Sequence, residues 1–142
     1  MSKNNRQRLR FFESRKNQNH IPDTDRFMYK KPESQHRICV IGTGTMGQEH
    51  MRVAALLGRA QVIGIFDCQA LSMEVAAENY KEFNDYSLKL YSSVSSACSD
   101  PDSDAIFICT PNFTHREILE TAIDSGKPIF LEKPMAVSYT HL

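Results

Sequence analysis

The sequence predicts an α/β fold built on a doubly wound parallel sheet, and three observations carry that prediction. Short apolar runs alternate with helix-length segments. The first run passes into the first helix through glycine. The chemistry-bearing residues all follow the ends of the runs, where open parallel sheets place their ligands.

Each element has its own signal. Arg37-Ile38-Cys39-Val40-Ile41 is a β-branched run cut off by Gly42, a buried strand. From Thr45 the spacing turns helical, with Gly47, His50, Met51, Ala54 and Leu57 on one face and Gly58 as the stop. Ala60 to Asp67 reads as a second strand and Gln69 to Phe83 as a second helix. A weak third strand is expected around Leu88 to Tyr91, then a helical piece near Val94 to Cys98 and a loop over Asp100-Pro101-Asp102-Ser103-Asp104. Ala105 to Cys109 forms a fourth strand stopped by Pro111. Thr114 with Glu117 is a capping-box pattern, opening a helix to about Ser125 that Gly126 closes, and Pro128 to Leu131 supplies a fifth strand. Such alternation implies right-handed crossovers and a sheet covered on both faces.

Composition bounds the rest. A chain of 142 residues suits one domain with a core. Its zero net charge hides a split: residues 1–37 hold ten Lys and Arg against four acids, and residues 38–142 hold seven against thirteen. Residues 1–36 are polar and poor in branched aliphatics, and are expected to be a flexible, solvated basic extension. Asn and Gln dominate there and no amphipathic face emerges, which argues against a transit peptide or a nucleic-acid arm. No apolar stretch approaches the about 20 residues of a membrane span, and no signal-peptide apolar region is present, so a cytoplasmic protein is expected. Cys39, Cys68, Cys98 and Cys109 lack metal-ligand spacing, so no metal is expected, and Cys39 and Cys109, inside apolar runs, read as buried thiols.

The glycine motif is Gly42-Thr43-Gly44-Thr45-Met46-Gly47. Gly42 allows the turn out of the strand, Gly44 lets the backbone approach a pyrophosphate, and Gly47 lets the helix pack on the sheet. The helix N-terminus then offers free N–H groups and a partial positive charge to an anion. A lone match of this kind is weak; here it follows a strand, opens a helix and has Asp67 twenty positions after Gly47. A carboxylate there accepts from ribose hydroxyls and repels a 2′-phosphate, which favours NAD over NADP, and Cys68 adds no positive charge. Asp67 also fits a simpler role, a turn aspartate that caps the next helix.

Thr110, Pro111 and Asn112 follow the fourth strand, placed to contact the nicotinamide half of a dinucleotide. His115 fits a structural hydrogen bond as well as a ligand contact. His50 is similarly placed on the first helix, where the structural role is the simpler reading. Glu132-Lys133-Pro134 ends the fifth strand. By itself a Lys-Pro pair after a strand is an ordinary solvated turn. Beside a nicotinamide, the Lys133 ammonium could hydrogen-bond a substrate hydroxyl and stabilise the alkoxide that forms as hydride leaves.

Taken together, GTGTMG, Phe66-Asp67, CTPNFTH and LEKPMA resemble the Gfo/Idh/MocA family, named for glucose-fructose oxidoreductase, inositol dehydrogenase and rhizopine catabolism. The resemblance runs from about Arg37 to Ala136. It implies an NAD(P)-binding Rossmann domain over residues 37–136 and a larger C-terminal substrate domain that this sequence does not contain. It also implies hydride transfer to or from a sugar-like or cyclitol hydroxyl compound. By the same resemblance, Gly42, Gly44, Thr45 and Met46 would line the pyrophosphate and Asp67 the adenosine ribose, with Gly47 also counted among the cofactor-binding residues. Thr110, Pro111, Asn112 and His115 would flank the nicotinamide ribose with Glu132 close by, and Lys133 would be catalytic. Further catalytic groups, an aspartate and a histidine, would come from the missing domain, so the fragment alone is expected to be inactive. The full-length protein would be a homo-oligomer acting on a small molecule, with neither nucleic acid nor membrane as partner.

Residues 137–142 read VSYTHL, which one frame of a transposon-end adapter also encodes, so this end is expected to be foreign or truncated. Two other functions fit the same loop: a non-catalytic dinucleotide-binding redox sensor or regulatory module, and, less well, a methyltransferase. The spacing around Met46 and the Glu132-Lys133-Pro134 ending argue against the methyltransferase.

Overall fold

The computed structural model describes residue 34 and residues 36–135. The expectations for the basic extension before His36 and for residues 137–142 lie outside the described residues. The elements run β1 (His36–Ile41), α1 (Thr45–Leu57), β2 (Ala60–Phe66), α2 (Ala70–Lys81), β3 (Lys89–Leu90), α3 (Val94–Ser99), β4 (Ala105–Ile108), a 3-10 turn (Asn112–Thr114), α4 (His115–Ile123) and β5 (Ile129–Leu131).

The five strands form one sheet in the order β3-β2-β1-β4-β5, every neighbouring pair parallel. The chain winds outward from β1 to β2 and β3, then returns to lay β4 and β5 on the other side of β1. The expected fold class is therefore the observed one.

Alternation along the strands explains how both faces are buried, because successive side chains leave a strand on opposite sides. Ile38, Val40, Val62 and Ile65 pack with Met51 and Ala54 of α1 and Ala76 and Tyr80 of α2. Ile41, Ile106 and Ile108 pack instead with Ala97 and Cys98 of α3 and Ala122 of α4. Cys39, Val40 and Ile41 are all fully buried, as an apolar run between two helical layers must be.

Most element ends match the sequence reading. Gly58 closes α1 in the left-handed region at φ 72°, its N–H donating to the Ala54 carbonyl at 2.9 Å. Gly126 is also left-handed, at φ 67°, after a tightened last turn. β1 begins one residue earlier than expected because the His36 N–H pairs with the Arg59 carbonyl at 3.3 Å.

The capping box at Thr114 and Glu117 does not form. Residues 112–114 already turn as a 3-10 helix, so Thr114 sits at φ −95°, ψ −11° rather than in the extended geometry a cap requires, and makes no side-chain cap bond. Its hydroxyl lies 2.7 Å from the Pro111 carbonyl and 2.8 Å from the Thr110 hydroxyl instead. A capping box does form ahead of α3, where Ser93 accepts from the Ser96 N–H at 3.0 Å and the Ser96 hydroxyl from the Ser93 N–H at 3.1 Å.

One packing relation has no local sequence signal. A Cβ at Gly64 would come within 2.4 Å of the Tyr91 ring, so the bare backbone of β2 is the seat on which Tyr91 lies. A register shift between Ile38 and Cys39 moves the β1 partner from Val62 to Gly64 and leaves Ile63 without an opposite residue.

Candidate functional site at the carboxyl edge of the sheet

The three glycines after β1 do different things. Gly42 has φ +94°, and a Cβ there would lie 2.7 Å from the Cys109 backbone carbon, so both the turn and the approach of β4 need glycine. A Cβ at Gly47 would lie 1.9 Å from the Gly42 carbonyl oxygen, so the helix can rest on the turn only without a side chain. Gly44 is unlike both: its φ is −67° and its ψ −169°, and a Cβ there would meet nothing within 4 Å among the described residues.

Helix α1 begins immediately after it. The first bond of the helical ladder is from the Gln48 N–H to the Gly44 carbonyl at 3.0 Å, which leaves the N–H groups of residues 45–47 ahead of the ladder. The N-cap makes no side-chain bond and the first turn carries no acid. Gly44, Thr45 and Met46 are exposed.

Asp67 follows β2 and is fixed by the glycine loop. Its Oδ2 accepts from the Thr43 N–H at 2.8 Å and the Thr43 hydroxyl at 3.1 Å, and its Oδ1 from the Gln69 N–H at 2.9 Å. Burial works to raise its pKa; the donated bonds from Thr43, Gln69 and Cys68 outweigh that and hold it below the ordinary aspartate value. The carboxylate is thus ionised and aimed at the loop. Asp67 places no side-chain cap on α2, whose N-cap is Gln69.

Sequence reasoning missed the residues that hold this loop. Thr43 is fully buried, its hydroxyl 2.8 Å from that of Ser72 on α2. Gln48 donates to the Thr43 carbonyl at 2.8 Å and accepts from Asn79 of α2 at 2.8 Å. Thr43 occupies a variable position of the glycine motif, and its partners Asp67 and Ser72 lie 24 and 29 residues away.

Thr110 follows β4, and its methyl would touch any Cβ at Gly42, so the loops after β1 and β4 are in contact. Pro111 is exposed and Asn112 half-buried. His115 is 1% exposed, with Nε2 2.8 Å from the Thr110 carbonyl and Nδ1 3.0 Å from the Pro134 carbonyl. Each ring nitrogen faces a carbonyl oxygen, and the ring spans the loop ends of β4 and β5.

After β5, the Glu132 N–H extends the pairing to the Ile108 carbonyl at 2.9 Å. Glu132 Oε1 lies 2.5 Å from His50 Nε2, and Oε2 accepts from the Lys133 N–H at 3.0 Å. The bond from His50, then that from Lys133, pull the Glu132 carboxyl below its usual value against the effect of burial. Lys133 itself is exposed, and the Lys133–Pro134 peptide is cis.

Four ties therefore brace one rim: Asp67 to Thr43, Thr110 against Gly42, His115 to Pro134 and Glu132 to His50. The candidate residues gather at the carboxyl ends of β1, β2, β4 and β5, around the point where the winding reverses between β1 and β4.

Comparison with known proteins identifies the family and the fold. The family model for Gfo/Idh/MocA oxidoreductases, described as an oxidoreductase family with an NAD-binding Rossmann fold, matches residues 36–142. The chain belongs to this family. Among curated Gfo/Idh/MocA relatives, inositol 2-dehydrogenase of Pseudomonas savastanoi pv. phaseolicola is 35% identical over 103 residues, 72% of this chain and 30% of that protein. Inositol 2-dehydrogenase/D-chiro-inositol 3-dehydrogenase of Lacticaseibacillus casei is 33% identical over 103 residues, 72% of this chain and 29% of that protein. Among solved structures, myo-inositol dehydrogenase from Lactobacillus casei, in complex with NAD(H) and myo-inositol, superposes with a TM-score of 0.68 at 32% identity. It covers 75% of this chain and 30% of its own. The sequence given thus spans about 30% of the length of these Gfo/Idh/MocA proteins.

Cys39, Cys98 and Cys109 are buried and Cys68 exposed, all free. Burial, with Glu132 nearby, pushes the Cys109 thiol up to about 12, which keeps it an unreactive neutral group. Among the described residues, no three His, Cys, Asp or Glu side chains are grouped to hold a metal, and no helix is long and apolar enough to cross a membrane.

Proposed function

We propose that this chain holds NAD in the loop Gly42–Gly47 and belongs to an oxidoreductase that transfers hydride to or from a carbinol carbon of a sugar-like or cyclitol substrate. Gly44 carries the reading. Neither its backbone angles nor its packing among the described residues calls for glycine, which fits room kept for a ligand. An exposed helix start with no acid in its first turn, beside that bare position, fits a pyrophosphate.

The other residues take roles that follow from their placement. The N–H groups of Thr45, Met46 and Gly47 would hold the pyrophosphate oxygens. Asp67, ionised and with acceptor capacity left on Oδ1, would accept from the adenosine ribose hydroxyls. The same charge disfavours a 2′-phosphate, so NAD is preferred to NADP. Thr110, Pro111 and Asn112 would line the nicotinamide side. His115, with both ring nitrogens on carbonyls, would serve by fixing Thr110 and Pro134.

The nicotinamide supplies the hydride donor or acceptor. Lys133 would bind the substrate hydroxyl through its ammonium and offset the negative charge that grows on that oxygen. The inositol dehydrogenases similar to this chain support the cyclitol class. We take residues 37–136 as the nucleotide-binding unit of a longer, oligomeric, cytoplasmic enzyme.

Calorimetric titration of the 142-residue chain with NAD+, NADP+ and S-adenosylmethionine tests the binding site. NAD+ is expected to bind and NADP+ to bind at least about tenfold more weakly, the scale of one disfavoured charge contact. A folded sample that fails to bind NAD+ would sink the assignment.

A further inference from the structure

His50 and its partner Glu132 are site residues that the proposed chemistry leaves without a task. His50 lies on α1 one helical turn after Gly47, yet its side chain reaches the end of β5 across 82 positions of sequence. Its ring stands edge-on to Phe130, at a centroid distance of 5.0 Å, and to Phe107, at 6.0 Å. Those two rings pack on each other at 4.8 Å, so the imidazole is held by aromatic walls from β4 and β5. From that position Nε2 meets Glu132 Oε1 at 2.5 Å, while Oε2 of the same carboxylate takes the Lys133 N–H at 3.0 Å. Both oxygens of Glu132 are used, one toward the cradle helix and one toward the lysine backbone.

We propose that His50 is a positioning residue for Lys133: by fixing the Glu132 carboxylate it anchors the backbone N–H of Lys133, and so sets the origin from which the ammonium reaches substrate. The helix that presents its N-terminus to the pyrophosphate is thereby the helix that locates the catalytic group. This rests on the role given to Lys133 above. An exposed lysine on a loop end has many rotamers, and a fixed backbone restricts how far its ammonium wanders. Among the described residues, four charged or titratable groups stand around the pair. Glu49 and Arg52 stand beside His50 on α1 and bond each other, Lys133 lies beyond Glu132, and Cys109 lies at the end of β4. None of the first three competes for Glu132 Oε1 in the structure, and the Cys109 thiol is neutral.

A purely structural histidine would act through its ring alone, and His50→Phe separates the two roles by keeping an aromatic ring against Phe107 and Phe130 while removing the nitrogen. The experiment uses the 142-residue chain labelled with 15N and with 13C at glutamate carboxyls, read by NMR alongside a thermal melt. In H50F the Lys133 amide is expected to exchange with solvent about tenfold faster, the scale of one lost charge-assisted bond, and the Glu132 carboxyl to titrate at higher pH than in the parent chain. His50→Gln, which keeps an N–H donor, is expected to recover part of both signals. Glu132→Ala removes the acceptor of the Lys133 N–H and is expected to release the same amide, which keeps the test open if H50F folds poorly. Parent-like Lys133 exchange and Glu132 titration in folded H50F would overturn the proposal. NAD+ binding to the parent chain is measured on the same sample: its absence would remove the dinucleotide reading, while the amide comparison would still decide whether His50 anchors residue 133.

Discussion

The two edges of the sheet treat polar groups in opposite ways. At the amino edge they satisfy one another. Asp100, its side chain 7% exposed, takes the Lys89 ammonium at 2.8 Å and the Tyr91 hydroxyl at 2.5 Å, while its backbone carbonyl takes Lys127 at 2.5 Å. Lys127 also reaches the buried Ser103 hydroxyl at 2.7 Å, and Arg37 clasps Asp104 through its backbone and its guanidinium. Burial would raise the Asp100 pKa, but Lys89, Tyr91 and the Asp102 N–H bring it down to about 2. At the carboxyl edge the protein holds its groups in place yet leaves their outer faces free: an uncapped helix start, an exposed Lys133 and a bare Gly44. One edge is closed chemistry that stabilises the fold, and the other is braced chemistry awaiting something else.

Substitutions can break that contrast or sharpen it. The largest effect is expected for Gly47→Val, which sets a side chain against the Gly42 carbonyl and lifts the helix from the sheet. It should cost about 3 kcal/mol in a denaturant titration and abolish NAD+ binding, because at this one point stability and cradle share a contact. Asp100→Ala should cost about 2 kcal/mol by leaving the Tyr91 hydroxyl and the Asp102 N–H without their acceptor, while the NAD+ dissociation constant stays within about twofold. The sign of its pH dependence follows from a folded pKa below the unfolded 3.8. The contribution is complete above that value and disappears as the pH falls toward about 2, so acid melts of the parent chain should show a slope there that D100A flattens.

Gly44→Ser should do the reverse of D100A. Serine is a good N-cap and has room at φ −67°, so the melting temperature should hold or rise, while NAD+ affinity falls by at least about tenfold. If G44S binds as the parent does, the open space at residue 44 is not the ligand's. The smallest effect is expected for Arg116→Ala on α4, whose pair with Glu120 has both side chains about two-thirds exposed: no measurable change in melting or binding.

Much of this was legible in the sequence because it is written locally. β1 announced itself as an apolar run ended by Gly42, and α1 as a helical stripe stopped by Gly58. Gly47 and Asp67 could be placed from spacing, since the βα unit fixes their separation. Long-range side-chain partners could not be read that way. The seat that Gly64 makes for Tyr91, the Asp100 cluster, and the bonds from Thr43 to Ser72 and from His50 to Glu132 join positions that only the finished sheet brings together. Thr114 shows a local signal losing: the pattern for a cap was present, but the tight turn after Pro111 took the backbone first.

If the proposed cradle is right, the three glycines also differ in what maintains them. Folding maintains Gly42 and Gly47 whatever the protein does, since each lies against backbone, but it exerts no hold on Gly44. In a descendant that kept this sheet and gave up its nucleotide, position 44 would be the first of the three to drift while its neighbours stayed fixed. Reading that single position across related chains would sort working cradles from retired ones.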